Sequence, residues 1–103
     1  MILVNTDYIT GREFDMLTLV RGSTVQAKSF AKDFGAGLKN LTGGELRAYT
    51  ELMNEAREVA TQRMIEDALR YGADAVINVR YMSSAVMQGA AEVVAYGTAV
   101  KFR

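Results

Sequence analysis

The closing strand constrains this fold most. From Glu92 to Arg103, Val94, Tyr96, Thr98, Val100 and Phe102 alternate with Val93, Ala95, Gly97 and Ala99, so a β-strand here has apolar or small side chains on both faces. A two-layer domain covers one face of its sheet, and the other is polar wherever it meets water. The first long strand, predicted over Glu13 to Val25, raises the same conflict. It places Phe14, Met16, Thr18 and Val20 on one face and Asp15, Leu17, Leu19 and Arg21 on the other. Monomers rarely expose contiguous apolar patches beyond a few hundred Å², so the second sheet face is expected to pack against another copy of the chain.

Between these strands the periodicity is helical. Phe30, Phe34, Leu38 and Leu41 recur at helical spacing and predict a helix over 27–41, weakened by Gly35 and Gly37. Thr42-Gly43-Gly44-Glu45 reads as a capping box opening a second helix. Its stripe of Leu46, Tyr49, Met53, Ala56, Ala60, Met64 and Ala68 is widened by Leu52, Val59, Ile65 and Leu69, and Gly72 stops it. A second long strand follows, with Ala75, Ile77, Val79 and Tyr81 on one face and Val76, Asn78, Arg80 and Met82 on the other, then a loop over 83–91 and the closing strand. Ile2 to Val4 form a short N-terminal edge strand, joined to the first long one by a turn at Thr10-Gly11-Arg12. The expected fold is one α+β domain over residues 1–103: a two-layer sandwich of an antiparallel sheet with two helices on one face.

Half of the 103 residues are hydrophobic and 23% charged, a balance that folds rather than stays disordered. Twelve basic and twelve acidic side chains cancel, which removes the one-sided field that attracts nucleic acid. No apolar run approaches the ~18–20 residues that span a bilayer, so neither nucleic acid nor membrane is an expected partner and the expected location is the cytoplasm. The chain has no Cys and no His, which excludes thiolate sites, thiol nucleophiles and the usual neutral-pH base.

Candidate sites are therefore few. Glu51, Glu55 and Glu58 share a helical face and could hold a hard cation through oxygen ligands, against the simpler reading of a solvated acidic face with Arg47 beside Glu51. Gly43 and Gly44 do not follow a strand and lack a Gly-Lys-Ser/Thr signature, so cap geometry accounts for them better than phosphate binding. Lys28 and Lys32 could share a depressed pKa if buried, but exposed lysines beside Asp33 are the simpler picture. No cofactor is expected. If a pocket exists, it is expected near Gly22, Lys28, Gly43, Gly44 and Tyr49, where the first strand ends and the helices meet.

Gly22, the Asp33-to-Leu41 segment, Gly43-Gly44, Tyr49, Glu55-Ala56-Arg57, Gly72-Ala73-Asp74-Ala75-Val76 and Gly97-Thr98-Ala99-Val100 together resemble the YbjQ family of small bacterial proteins, which carries a heavy-metal-binding label. The resemblance implies a dodecin-like subunit with long-strand order 1-3-2, assembled into a pentameric ring. Without Cys or His, soft metals find no ligand set inside one chain. The principal expectation is a non-catalytic homo-oligomeric ring that binds a small ligand at its subunit interfaces. The alternatives are a carboxylate-based metal-ion-binding protein, and an enzyme pairing Lys or Tyr with a carboxylate at a subunit boundary.

Overall fold

The structure is a computed structural model that describes residues 1–27, 43–87 and 90–103. In chain order the elements are β1 (Ile2–Leu3), β2 (Phe14–Ala27), α1 (Gly43–Arg70), β3 (Ala75–Met87) and β4 (Ala90–Phe102). They form one four-stranded sheet in the order β1-β3-β4-β2, with α1 against one face. The 28-residue helix begins at Gly43 and ends in a Schellman motif. There the Gly72 amide donates to the Leu69 carbonyl, the Ala73 amide to that of Ala68, and Gly72 takes the left-handed φ of 72°.

This architecture corrects the expected one in three respects. First, the sheet is mixed rather than antiparallel: β1 runs parallel to β3, with Ile2 opposite Ala75 and Leu3 opposite Val76. The cause is backbone pairing. The Val4 amide donates to Val76, and the Val79 and Asn78 amides donate back to Val4 and Thr6. Second, among the described residues there is one helix where two were expected. The expected first helix, over 27–41, lies outside the described residues except at Ala27. That residue continues β2, because the antiparallel ladder runs on to pair it with Ala90. Third, most of the expected loop over 83–91 is strand, because β3 and β4 stay paired from Ser83–Val93 out to Met87–Ala90.

Two bulges also rearrange the faces. The β2–β4 register shifts between Met16 and Thr18. Phe14 and Met16 therefore lie on the side of Phe102 and Val100, while Thr18 and Val20 turn toward the helix, instead of all four sharing a face. In β3 the shift falls between Ile77 and Arg80, at Asn78, whose φ is 53°. Asn is among the few non-glycine residues that adopt this conformation readily. Val79 consequently joins Val76 on the helix side, rather than lying opposite it.

Burial follows the corrected faces. On the helix side, Val20, Val76, Val79, Val93, Ala95 and Ala99 pack against Ala56, Ala60, Met64 and Ala68. The stripe buried from α1 advances in steps of four through Leu52, Ala56, Ala60, Met64 and Ala68. Its alanines let the helix lie close on the sheet, and at Gly22 backbone meets backbone: a β-carbon there would overlap the Met64 amide, the Ala60 carbonyl and Arg63. On the far side a smaller cluster of Ala75, Ile77 and Val100 is covered by the chain's own Val4 and Ile9 together with Phe14 and Phe102. Among the described residues no helix is long and apolar enough to cross a membrane.

Candidate functional site

The N-terminal segment shields only one end of the far face. Beyond it, cross-strand rows continue: Leu19 is level with Thr98 and Ile77, Arg21 with Tyr96 and Arg80, Ser23 with Val94 and Met82, Val25 with Glu92 and Ser84. Residues opposite one another across strands share a face, so these rows form one surface. Leu19, Val25 and Met82 are 67%, 57% and 59% exposed, and Val94 and Tyr96 between them are half-buried. Arg80 reaches from this surface to the Asn5 carbonyl at 3.2 Å, marking where the N-terminal cover stops.

A second feature lies along the outer edge of β2, an open groove of about 720 Å³ between that strand and the C-terminal half of α1. Arg21, Arg63, Glu66, Asp67, Arg70 and Tyr71 line it. Arg63 and Asp67 project one helical turn apart toward the strand and bond to its backbone. The Arg63 guanidinium donates to the Ser23 carbonyl at 2.7 Å, and the Arg21 amide donates to Asp67 Oδ2 at 3.1 Å. Arg70 approaches Asp67 Oδ1 at 3.3 Å. Two backbone groups that an edge strand would offer to another strand are thus occupied by side chains, one of the ways proteins blunt sheet edges.

Elsewhere, polar bonds tie the elements together. Thr61 Oγ1 donates its single proton to the Arg57 carbonyl at 2.6 Å, so in its 2.7 Å contact with Tyr81 the phenol is the donor. This bond joins α1 to β3. Asp74 accepts the Phe102 amide at 2.8 Å and lies 3.4 Å from Lys101 Nζ. The amide bond from Phe102 is the main reason its carboxyl is held below the usual aspartate value.

The anticipated site residues do not converge. Gly22 lines the groove, but its lack of a side chain is required by helix packing. Lys28 and Lys32 lie outside the described residues, as do Thr42 and the capping box it would close. Gly43 and Gly44 are exposed at the start of α1, with open space where a β-carbon would be. Tyr49 is half-buried on α1. Glu51, Glu55 and Glu58 are all exposed on the helix, and among the described residues no three Asp or Glu side chains gather as metal ligands would. The groove residues that sequence reasoning missed had a signal: Arg63, Asp67 and Arg70 follow at i, i+4 and i+7, one flank of one helix. The β2 edge facing that flank had none.

Comparison with known proteins places the chain among uncharacterised relatives. A family profile named YbjQ and described as "Putative heavy-metal-binding" matches residues 1–103. A UPF0145 protein of Clostridium novyi (strain NT) is 66% identical, covering 98% of both chains. Another, from Alkaliphilus metalliredigens, is 62% identical over 99% of both, and one from the archaeon Methanosarcina acetivorans is 56% identical over 98% of this chain and 96% of its own. A crystal structure of a protein of unknown function from the DUF74 family of Pediococcus pentosaceus superposes with a TM-score of 0.68 at 15% identity, covering 100% of this chain and 98% of that one. At that identity the likeness concerns the fold alone.

Proposed function

The chain belongs to the YbjQ family, and from that membership together with the half-covered sheet we propose that it is a non-catalytic, self-assembling protein whose copies form a pentameric ring and receive a small ligand where subunits meet. The observation that carries this reading is the far face beyond the N-terminal segment, where Leu19, Val25 and Met82 stand exposed around Val94 and Tyr96. Apolar area of this kind is stabilised by removal from water at roughly 25 cal/mol per Å². The chain's own helix already covers the opposite face, so a second copy is the natural cover. The count of five is what the family resemblance implies.

Size-exclusion chromatography with light scattering at micromolar concentration tests the proposal. A mass five times the subunit's 11.3 kDa is expected. A stable particle of 11.3 kDa would remove the reading.

The family's description favours a second reading, in which the ring holds a metal ion through carboxylates. Either the row Glu51, Glu55 and Glu58 within one subunit supplies the ligands, or symmetry multiplies one carboxylate per subunit at a ring axis. Native mass spectrometry with Ca²⁺, Mg²⁺ and Zn²⁺ separates the two readings. An ion retained by wild type and lost on Glu55→Gln supports metal binding, and no adduct at tens of micromolar removes it.

A further inference from the structure

We infer that the ligand received where copies meet is a small polyvalent oxyanion, held by Arg21 and Arg80 on the far face of the sheet, an inference that rests on copies covering that face. Arg21, Tyr96 and Arg80 form one cross-strand row, with Tyr96 of β4 at its centre and an arginine on either side. Side chains level with one another on neighbouring strands stand on the same face. At ~4.8 Å between strands the two arginines are anchored roughly 10 Å apart, a separation suited to an anion with more than one charged group. Each guanidinium is a planar fork that meets an oxyanion through two parallel N–H groups.

Among the described residues neither charge is compensated. Arg80 donates to the Asn5 carbonyl at 3.2 Å and to the Val79 carbonyl at 3.4 Å, both neutral, so its guanidinium is held while its charge stays open. For Arg21 the backbone amide is bonded, to Asp67, but among the described residues the guanidinium is not. The four rows of this surface hold one carboxylate, Glu92, against the two arginines. It lies four residues from Tyr96 on β4, roughly 13 Å along the strand at ~3.3 Å per residue.

Covering this face takes both arginines out of water among Leu19, Ile77, Val94 and Met82. A charge removed from water is unfavourable unless an opposite charge comes with it. A bound oxyanion supplies that charge, and a ring repeats the same pair of arginines at every subunit. The Tyr96 hydroxyl, half-buried and unbonded among the described residues, adds a donor between them. A metal cation is repelled by the same two charges, so the sign of the ligand separates this site from a carboxylate metal site.

Isothermal titration of the full chain in low-salt, phosphate-free buffer, with light scattering on the same samples, tests this. Pyrophosphate is the probe in one arm and citrate in the other, which separates phosphate from carboxylate chemistry. An oligomer that binds at least one of them saturably is expected. Arg21→Gln should weaken binding several-fold, and Arg21→Gln/Arg80→Gln about tenfold or more, each with helical circular dichroism retained. Glu92→Gln should strengthen binding by deleting the nearby negative charge. Arg57→Gln, out on α1, should leave it unchanged. An oligomer that neither anion saturates by about 10 mM, or equal affinity in wild type and Arg21→Gln, would overturn the inference while leaving assembly intact. A wild-type oligomer that binds neither anion and loses mass in the double variant overturns it too, and makes a carboxylate of the neighbouring copy the counter-charge. A wild-type particle of 11.3 kDa removes the assembly reading and this inference with it.

Discussion

Gly22 shows how one missing atom sets the distance between two layers. Where β2 passes under α1, the Ala60 carbonyl and the Met64 amide occupy the space a β-carbon would need. Gly22→Ala must push the helix off the strand. That loosens the packing of Val20 and Met64 and is expected to cost about 3 kcal/mol, measured by urea denaturation. A variant as stable as wild type would show that the helix does not sit where the structure has it. Asp74 supplies a pH-dependent counterpart. Its carboxyl is held below the ordinary aspartate value chiefly by the Phe102 amide, so it stabilises the fold above about pH 4 and the gain is lost as pH falls through its lower native value. Asp74→Asn is therefore expected to destabilise the protein at pH 7 and to approach wild type at pH 3. A difference of the same size at both pH values would contradict this.

At the level of elements, the bulges decide which side chains meet the helix. Asn78 at φ 53° lets β3 carry one extra residue opposite Gly97. Were the same residues paired in a regular ladder without the bulge, Val79 would fall opposite Tyr96 and leave the core cluster, and Arg80 would enter it. Asn78→Gly should be tolerated within a few tenths of a kcal/mol, whereas Asn78→Val should cost about 1–2 kcal/mol, because a β-branched residue is strained at positive φ. Thermal unfolding of the pair checks this, and equal melting points would refute it. The helix was legible from its sequence because alanines and Met64 recur every fourth residue and Gly72 marks its end. The strands were legible as strands, apart from the segment over 83–91 that was expected as a loop. Their face assignments were not, because alternation carries no mark of where one residue is to be skipped.

For the molecule as a whole, elongation and one-sided cover go together. The radius of gyration is 16.8 Å and the longest dimension 54 Å, where a compact chain of this length has a radius near ~13 Å. The long strands carry an apolar surface well past the segment that shields it. Replacing Leu19 and Met82 by Lys puts two charges on that surface without touching the helix-side core. If the ring forms, Leu19→Lys/Met82→Lys should lower the mass in light scattering to that of one subunit, with retained helical circular dichroism. An unchanged oligomer would place the contact elsewhere.

Hydrophobic periodicity and glycine placement by themselves determined that the chain is α+β, that a long helix ends at Gly72, and that its strands are apolar on both sides, since these depend on neighbours a few residues apart. Only the tertiary structure decided that β1 joins the sheet in parallel, that bulges redistribute the faces, and that Arg21 meets Arg63, Asp67 and Arg70 at one edge. Apart from the bulge at Asn78, these contacts join residues 40 or more positions apart, such as Arg63 with Ser23. Pairing across such distances is settled by backbone hydrogen bonding and packing between elements, which leave no local pattern in the sequence.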